Sequence, residues 1–141
     1  MPDLHPFVVH FPIGLLVAGL LFDLTGTLIR HRELTRAGWW VQLCGTIMLP
    51  TAIVTGLLAS ERAPVSSLAS SVLDFHQQMA FLVSALFAGL LIWRISTRSE
   101  LPERSRVLFF LLYAGGVLAL LIAAWAGGAL VFEYGLGRLG G

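Results

Sequence analysis

The sequence predicts an all-α, membrane-spanning four-helix bundle, because its composition is too apolar for a water-soluble surface and it contains four apolar stretches of spanning length. Of its 141 residues, 57% are hydrophobic and only 12% are charged, whereas soluble domains carry about 25% charged residues. This shortage of polar side chains excludes a soluble globular enzyme and a disordered chain. The net charge of +1 provides no clustered basic face, so no nucleic-acid partner is expected.

The four apolar stretches make residues 1–141 a single transmembrane domain. Each is close to the ~20 residues that a helix needs to cross a bilayer, and none alternates as the strands of a membrane barrel do. Because backbone polar groups must be satisfied inside the bilayer, each stretch is predicted to be a helix. The predicted spans cover about residues 7–29, 37–59, 73–93 and 107–132.

The distribution of arginine predicts the orientation. Seven arginines follow the first and third spans, and two lie on the opposite side. Arginine-rich loops stay in the cytoplasm, so both termini are expected on the outer (periplasmic) side of the bacterial inner membrane. The seven are Arg30, Arg32, Arg36, Arg94, Arg98, Arg104 and Arg106, and the two are Arg62 and Arg138.

The first span begins with a cluster of proline and histidine. Either Pro6 opens the helix and Pro12 kinks it, or the helix begins at Pro12. In both cases His10 lies at the outer end of the span. An ionisable residue there is a functional hypothesis by default, and the alternative is a histidine that anchors the helix among lipid headgroups.

His76 strengthens the functional interpretation. It lies near the start of the third span, which runs in the same direction as the first, so His10 and His76 are expected at a similar depth and diagonally opposed across the bundle. Gly14 and Ala80, each four residues further along its helix, leave room for a flat ligand. We therefore expect the two imidazoles to bind the iron of a b-type haem, with a quinone as a further possible occupant. The alternative is that the small residues only let helices pack closely.

Two other residues of the first span are interpreted as structural. His5 lies about 140° from His10 around an ideal helix. It could be a second ligand, a hydrogen-bond partner or a solvated helix end, and the solvated end is favoured. Asp23 is expected to pair with Arg94 or Arg30, because an unpaired charge in a membrane is costly. The alternative is that Asp23 carries a proton toward a buried quinone.

Two further patterns leave alternatives open. The histidines and the outer carboxylates Glu61, Asp74 and Glu133 would allow zinc, but their spacing favours solvated loop ends. The fourth span carries small residues at intervals of four, which let another helix approach from the same chain or from a neighbour. These are Gly115, Ala119, Ala123 and Gly127.

The two ends of the chain resemble a known family. The opening Leu4-His5-Pro6 with Val9-His10-Phe11-Pro12-Ile13-Gly14 and the closing 127–137 segment, with Asp23, Thr55-Gly56 and His76 between them, resemble a bacterial family of predicted four-span membrane proteins of unknown function. The resemblance implies the four-helix fold and an association with c-type cytochromes and respiratory components. Some relatives carry His where Tyr134 stands here, which would leave His10 and His76 as the ligand pair.

Together these observations predict an electron-transfer or structural subunit rather than a stand-alone enzyme. The first hypothesis is a redox module that passes electrons between a quinol pool and an external cytochrome or larger complex, with haem held by His10 and His76 beside Gly14 and Ala80. The alternative is a non-enzymatic subunit that stabilises or assembles a membrane complex without a cofactor. Transport is less favoured, because four spans offer little internal pathway.

Overall fold

The computed structural model describes residues 4–62, 66–98 and 100–135. Within these ranges the chain is helical, and its spans match the predicted all-α, four-span bundle. The first span is formed by α1 and α2 together, and each later helix is by itself long and apolar enough to cross a membrane. The helices are α1 (His5–Val8), α2 (His10–Leu28), α3 (Arg32–Arg62), α4 (Ser67–Ser96) and α5 (Arg106–Phe132).

The two prolines of the first span each lie in the first turn of a helix. Pro6 is in the first turn of α1, and Pro12 is the third residue of α2. A proline is tolerated there because the first backbone N–H groups of a helix have no partner within it. Val9, between the helices, keeps helical dihedral angles of φ −64° and ψ −25°, so the first span continues through both prolines.

The four spans surround a common core. The closest packing is between α2 and α3 and between α4 and α5, and the ring is closed by contacts of α3 with α4 and of α2 with α5. Helices α2 and α4 are therefore diagonal to each other, as the sequence predicts. Leu16, Phe87, Phe109 and Tyr113 are completely buried in the core, and Tyr113 makes edge-to-face contacts with both phenylalanines.

A buried ion pair crosses this diagonal near the ends of the spans that the sequence places toward the cytoplasm. Arg94 Nη2 donates to Asp23 Oδ1 at 2.9 Å, and Arg94 Nη1 donates to Asp23 Oδ2. The guanidinium also donates to Gln42 Oε1 at 2.8 Å and to the carbonyl of Thr35 at 2.9 Å, and it lies 5.6 Å from the ring centroid of Trp39. Asp23 and Arg94 are 0% and 1% exposed. The expectation that Asp23 is paired is confirmed, and Arg94 is the partner.

Glycine gives Asp23 the space to reach this position. A Cβ atom on Gly38 of α3 would overlap the Asp23 carboxylate, and a Cβ on Gly26 would lie 2.8 Å from the backbone nitrogen of Thr35. Both glycines face the interface of α2 and α3. Their missing side chains let the two helices approach closely, as small residues do within membranes.

We expect Arg94→Met to lower the free energy of unfolding by about 3–5 kcal/mol, because it leaves the buried Asp23 carboxylate without its counter-ion. The measurement is thermal or denaturant unfolding of the purified protein in detergent. Arg32→Met is the matched control, since Arg32 Nη2 lies 3.9 Å from Glu100 with the two side chains 90% and 69% exposed. An exposed pair of this kind contributes about 0–1 kcal/mol, and equal losses in the two variants would contradict the prediction.

Candidate functional site

At the opposite end of the bundle, His5 is held by two neighbouring residues of α3. Its Nδ1 lies 3.1 Å from Thr55 Oγ1. A Cβ atom built on Gly56 would lie 2.9 Å from His5 Cε1 and 3.2 Å from its Nε2, so the imidazole occupies the space that a side chain on Gly56 would take. These contacts hold the half-buried His5 ring against α3.

His76 is held by α5 in a similar way. Its Nδ1 lies 2.8 Å from the carbonyl oxygen of Ala123. A Cβ atom on Gly127 would lie 2.9 Å from His76 Cε1. The ring therefore lies against the glycine, one turn along α5 from the carbonyl to which it is bonded.

The hydrogen bond of His76 determines which of its ring nitrogens carries the proton. The Ala123 carbonyl can only accept, so His76 Nδ1–H is the donor. In the neutral ring the lone pair is then on Nε2, the tautomer in which a histidine with a bonded Nδ1–H coordinates a metal. The single hydrogen of the Thr55 hydroxyl can go to the carbonyl of Thr51 or of Ala52, at 3.1 and 3.0 Å, or to His5 Nδ1, so His5 donates to Thr55 in the tautomer that carries its proton on Nδ1.

The two rings meet across the bundle beside an apolar cavity. Their centroids are 6.2 Å apart and their planes are inclined at 79°. The cavity has a volume of about 430 Å³ and is lined by all four spans. Its size lies within the ~300–1,000 Å³ typical of ligand and cofactor sites. Ser84 is one of the lining residues, and its Oγ is buried without a hydrogen-bond partner among the described residues.

Three of the four site residues that the sequence predicts line the cavity, and the fourth does not. His76 and Ala80 line the cavity, and so does His10. His10 is exposed, with its Nδ1 at 2.5 Å from the carbonyl of Pro6 one turn earlier, and the ring that contacts His76 is that of His5. Gly14 is exposed, with no atom within 4 Å of a Cβ placed on it, and it is not among the cavity-lining residues.

The expectation that His5 is a solvated helix end is wrong. Its side chain is bonded to Thr55 and packed on Gly56, half-buried beside His76. The ideal-helix angle between His5 and His10 located the two relative to each other but gave no information about α3, which holds His5. The signal in the sequence was Thr55-Gly56, a polar residue and a small residue late in the second span.

The stripe of small residues on α5 serves contacts within the chain at its histidine end. Ala123 is 4% exposed, and Gly127 lies against His76. Gly115, at the other end of the stripe, is exposed, and no atom lies within 4 Å of a Cβ placed there. Among the described residues no group of three or more His, Cys, Asp and Glu side chains could hold a metal ion.

We expect Gly127→Val to destabilise the fold by about 1–3 kcal/mol, since the added side chain displaces the His76 ring and overpacking has costs of this size. Gly115→Val is the control on the same helix, where space is open. Unfolding in detergent measures both. The contact between Gly127 and His76 would be refuted by equal midpoints for the two variants.

Comparison with protein-family models identifies the family to which the chain belongs. A family model described as "Predicted membrane protein (DUF2231)" matches residues 2–140. Neither the curated proteins nor the solved structures contain a match. The match covers nearly the whole chain and agrees with the four apolar spanning helices. This multi-pass membrane protein therefore belongs to the DUF2231 family of predicted membrane proteins.

Proposed function

We propose that the protein is a membrane redox subunit that holds a b-type haem between His5 and His76 and passes electrons between a quinol pool and an external cytochrome or larger complex. The single observation that carries the proposal is the pair of imidazoles on diagonal spans, 6.2 Å apart beside an apolar cavity. Each ring is oriented by a hydrogen bond at Nδ1. Bound there, haem would supply one-electron transfer at a potential set by its axial ligands and burial.

The spacing of the rings supports this ligand set. Metal–nitrogen bonds of ~2 Å, together with the half-widths of two imidazoles, place the ring centroids of two ligands on opposite sides of one ion roughly 6 Å apart. The distance between the centroids of His5 and His76 is 6.2 Å. The separation of the two rings therefore supports His5 and His76 as the residues that would hold one iron.

The surroundings of the histidines also suit a large apolar ligand. Apart from three histidines (His5, His10 and His76), Gln77 and Ser84, the cavity is lined by apolar residues and glycines, which suit a macrocycle. The Thr55 hydroxyl and the Ala123 carbonyl fix the rotation of the rings and increase the basicity of Nε2. Gly56 and Gly127 leave room for the rings. These four residues position the two histidines.

The predicted orientation of the helices indicates on which side of the membrane the proposed electron-transfer partner lies. The arginine distribution predicts that the histidine end faces the outer side of the membrane. A site there suits exchange with a c-type cytochrome or another subunit on that side. His10 lines the same cavity, so the pair of His10 and His76, which the sequence predicts, is a competing ligand set. Mutagenesis distinguishes it from the pair of His5 and His76.

We expect the protein purified in detergent to show a sharp b-type α band in its dithionite-reduced minus air-oxidised spectrum. His5→Ala and His76→Ala should each remove the band, because each removes one of the two side chains that would hold the haem. His10→Ala and His31→Ala are the matched histidine controls and should retain it. His31 lies in the connection between α2 and α3, at the far end of the bundle from the cavity.

Two outcomes would overturn this assignment. If His10→Ala removes the band and His5→Ala retains it, the ligands are His10 and His76. If the folded wild-type protein, expressed with added haem precursor, has a flat spectrum, the protein is not a haem protein. The alternative of a structural or assembly subunit without a cofactor then becomes the leading hypothesis.

A further inference from the structure

The contacts across the bundle connect residues that are the same number of positions apart in the sequence. His5 contacts His76 at one end, and Asp23 pairs with Arg94 at the other. The separation is 71 residues for the ion pair, and it is the same for the histidines. The glycines against which the two rings lie, Gly56 and Gly127, are also separated by 71.

The burial pattern repeats at the same separation on both pairs of helices. On α2 and α4, the buried residues 12, 16, 19 and 23 correspond to the buried residues 83, 87, 90 and 94. On α3 and α5, residues 38, 42, 45, 46, 49 and 52 correspond to 109, 113, 116, 117, 120 and 123, all of them buried. Helical periodicity explains a repeat within one helix. It does not make two independent helix pairs agree on one separation.

Individual environments repeat as well. Leu16 packs against Gly45, and the Cγ atom of Leu16 lies 2.9 Å from a Cβ built on that glycine. At the equivalent position Phe87 packs against Gly116, and the Cε2 atom of Phe87 lies 3.1 Å from a Cβ built there. Gln42 and Tyr113, also 71 apart, are both 0% exposed. Each has a buried polar side-chain atom without a hydrogen-bond partner in the described part of the chain.

The arrangement of the helices has the same symmetry. A half-turn about the bundle axis exchanges α2 with α4 and α3 with α5. It exchanges the α2–α3 interface with the α4–α5 interface, and the α3–α4 interface with the α2–α5 interface, and these four interfaces are the ones that close the ring. On such an axis, equivalent residues can contact each other, as His5 and His76 do.

We propose that residues 5–56 and 76–127 are two copies of one helical hairpin, related by a two-fold axis along the bundle, and that the histidine site is a shared site to which each copy contributes one equivalent imidazole. The low identity between the halves hides the repeat from the sequence. Aligning the two halves on His10 and His76, which are 66 residues apart, also gives the wrong register, because equivalent residues are 71 apart.

The ion pair shows how the two copies differ. If two identical hairpins paired, position 23 would face itself, and two Asp or two Arg side chains would be buried together without a counter-ion. In this chain one copy carries Asp23 and the other carries Arg94, and they form a bidentate pair. The divergence at this position therefore directs the first hairpin to pair with the second rather than with a copy of itself.

The shared site has a consequence that rests on the proposed function. His5 and His76 would both hold a haem bound there, and the chemistry it would supply is electron transfer rather than the binding of small gaseous ligands. We expect the reduced wild-type spectrum to be unchanged by CO. We also expect His5→Ala and His76→Ala to lose the α band to within about a factor of two of each other.

The repeat itself is tested by exchanging core residues between the copies. Leu16→Phe alone should overpack, and Phe87→Leu alone should leave a void. The double exchange places Phe against Gly45 as Phe87 lies against Gly116. Its thermal midpoint in detergent should therefore return to within about 4 °C of wild type. The mismatched control, Leu16→Phe with Phe109→Leu, conserves volume between positions that are not equivalent and should stay more than roughly 10 °C below wild type.

The outcomes separate this proposal from the proposed function. A matched exchange no more stable than the mismatched one would overturn the repeat, whatever cofactor binds, because the measurement needs no haem. A CO-induced spectral shift in wild-type protein would overturn the shared site while leaving haem binding intact. A flat wild-type spectrum would contradict the proposed function and with it the ligation by both histidines, and the exchange variants would still decide on the repeat.

Discussion

A charge pair sealed inside a membrane bundle is the constraint on which the arrangement of the four spans depends. Arg94 and Asp23 have almost no exposed surface, and neither charge is tolerable in that environment without the other. Satisfying both requires α2 and α4 to face each other diagonally, with α3 supplying Gln42 Oε1 and the Thr35 carbonyl as further acceptors. The interface of α2 with α3 is correspondingly close, with glycine where the carboxylate needs room.

The same diagonal carries the histidine pair at its other end. His5 precedes Asp23 by 18 residues and His76 precedes Arg94 by 18, a helical length of roughly 27 Å. This length is nearly the hydrocarbon thickness of a bilayer. The ion pair and the fully buried core around Leu16 and Phe87 lie between the arginine-rich end of the bundle and the cavity. The cavity lies beyond this core, beside the imidazoles of His5 and His76.

How far the sequence leads can be judged from particular residues. The four spans follow from hydropathy and length, since no other structure satisfies the backbone in a bilayer. Asp23 is expected to be paired because an unpaired intramembrane charge is costly. Two arginines are candidates, and only the diagonal arrangement of α2 and α4 selects Arg94. The depth of His76 in its span makes it a candidate site residue. The sequence alone does not choose among the possible roles of His5, because its partner is decided by contact with Thr55-Gly56 on another helix.

The sequence by itself determined that this protein is a four-helix membrane domain and where its spans lie, because hydrophobic length and intramembrane charge are local properties of the chain. The tertiary structure decided which residues meet. It brought His5 into contact with His76, left Gly14 outside the lining of the cavity, and revealed the register in which the two hairpins correspond. These relations depend on the rotation and close approach of neighbouring helices, which side-chain packing between spans sets and which no single span encodes.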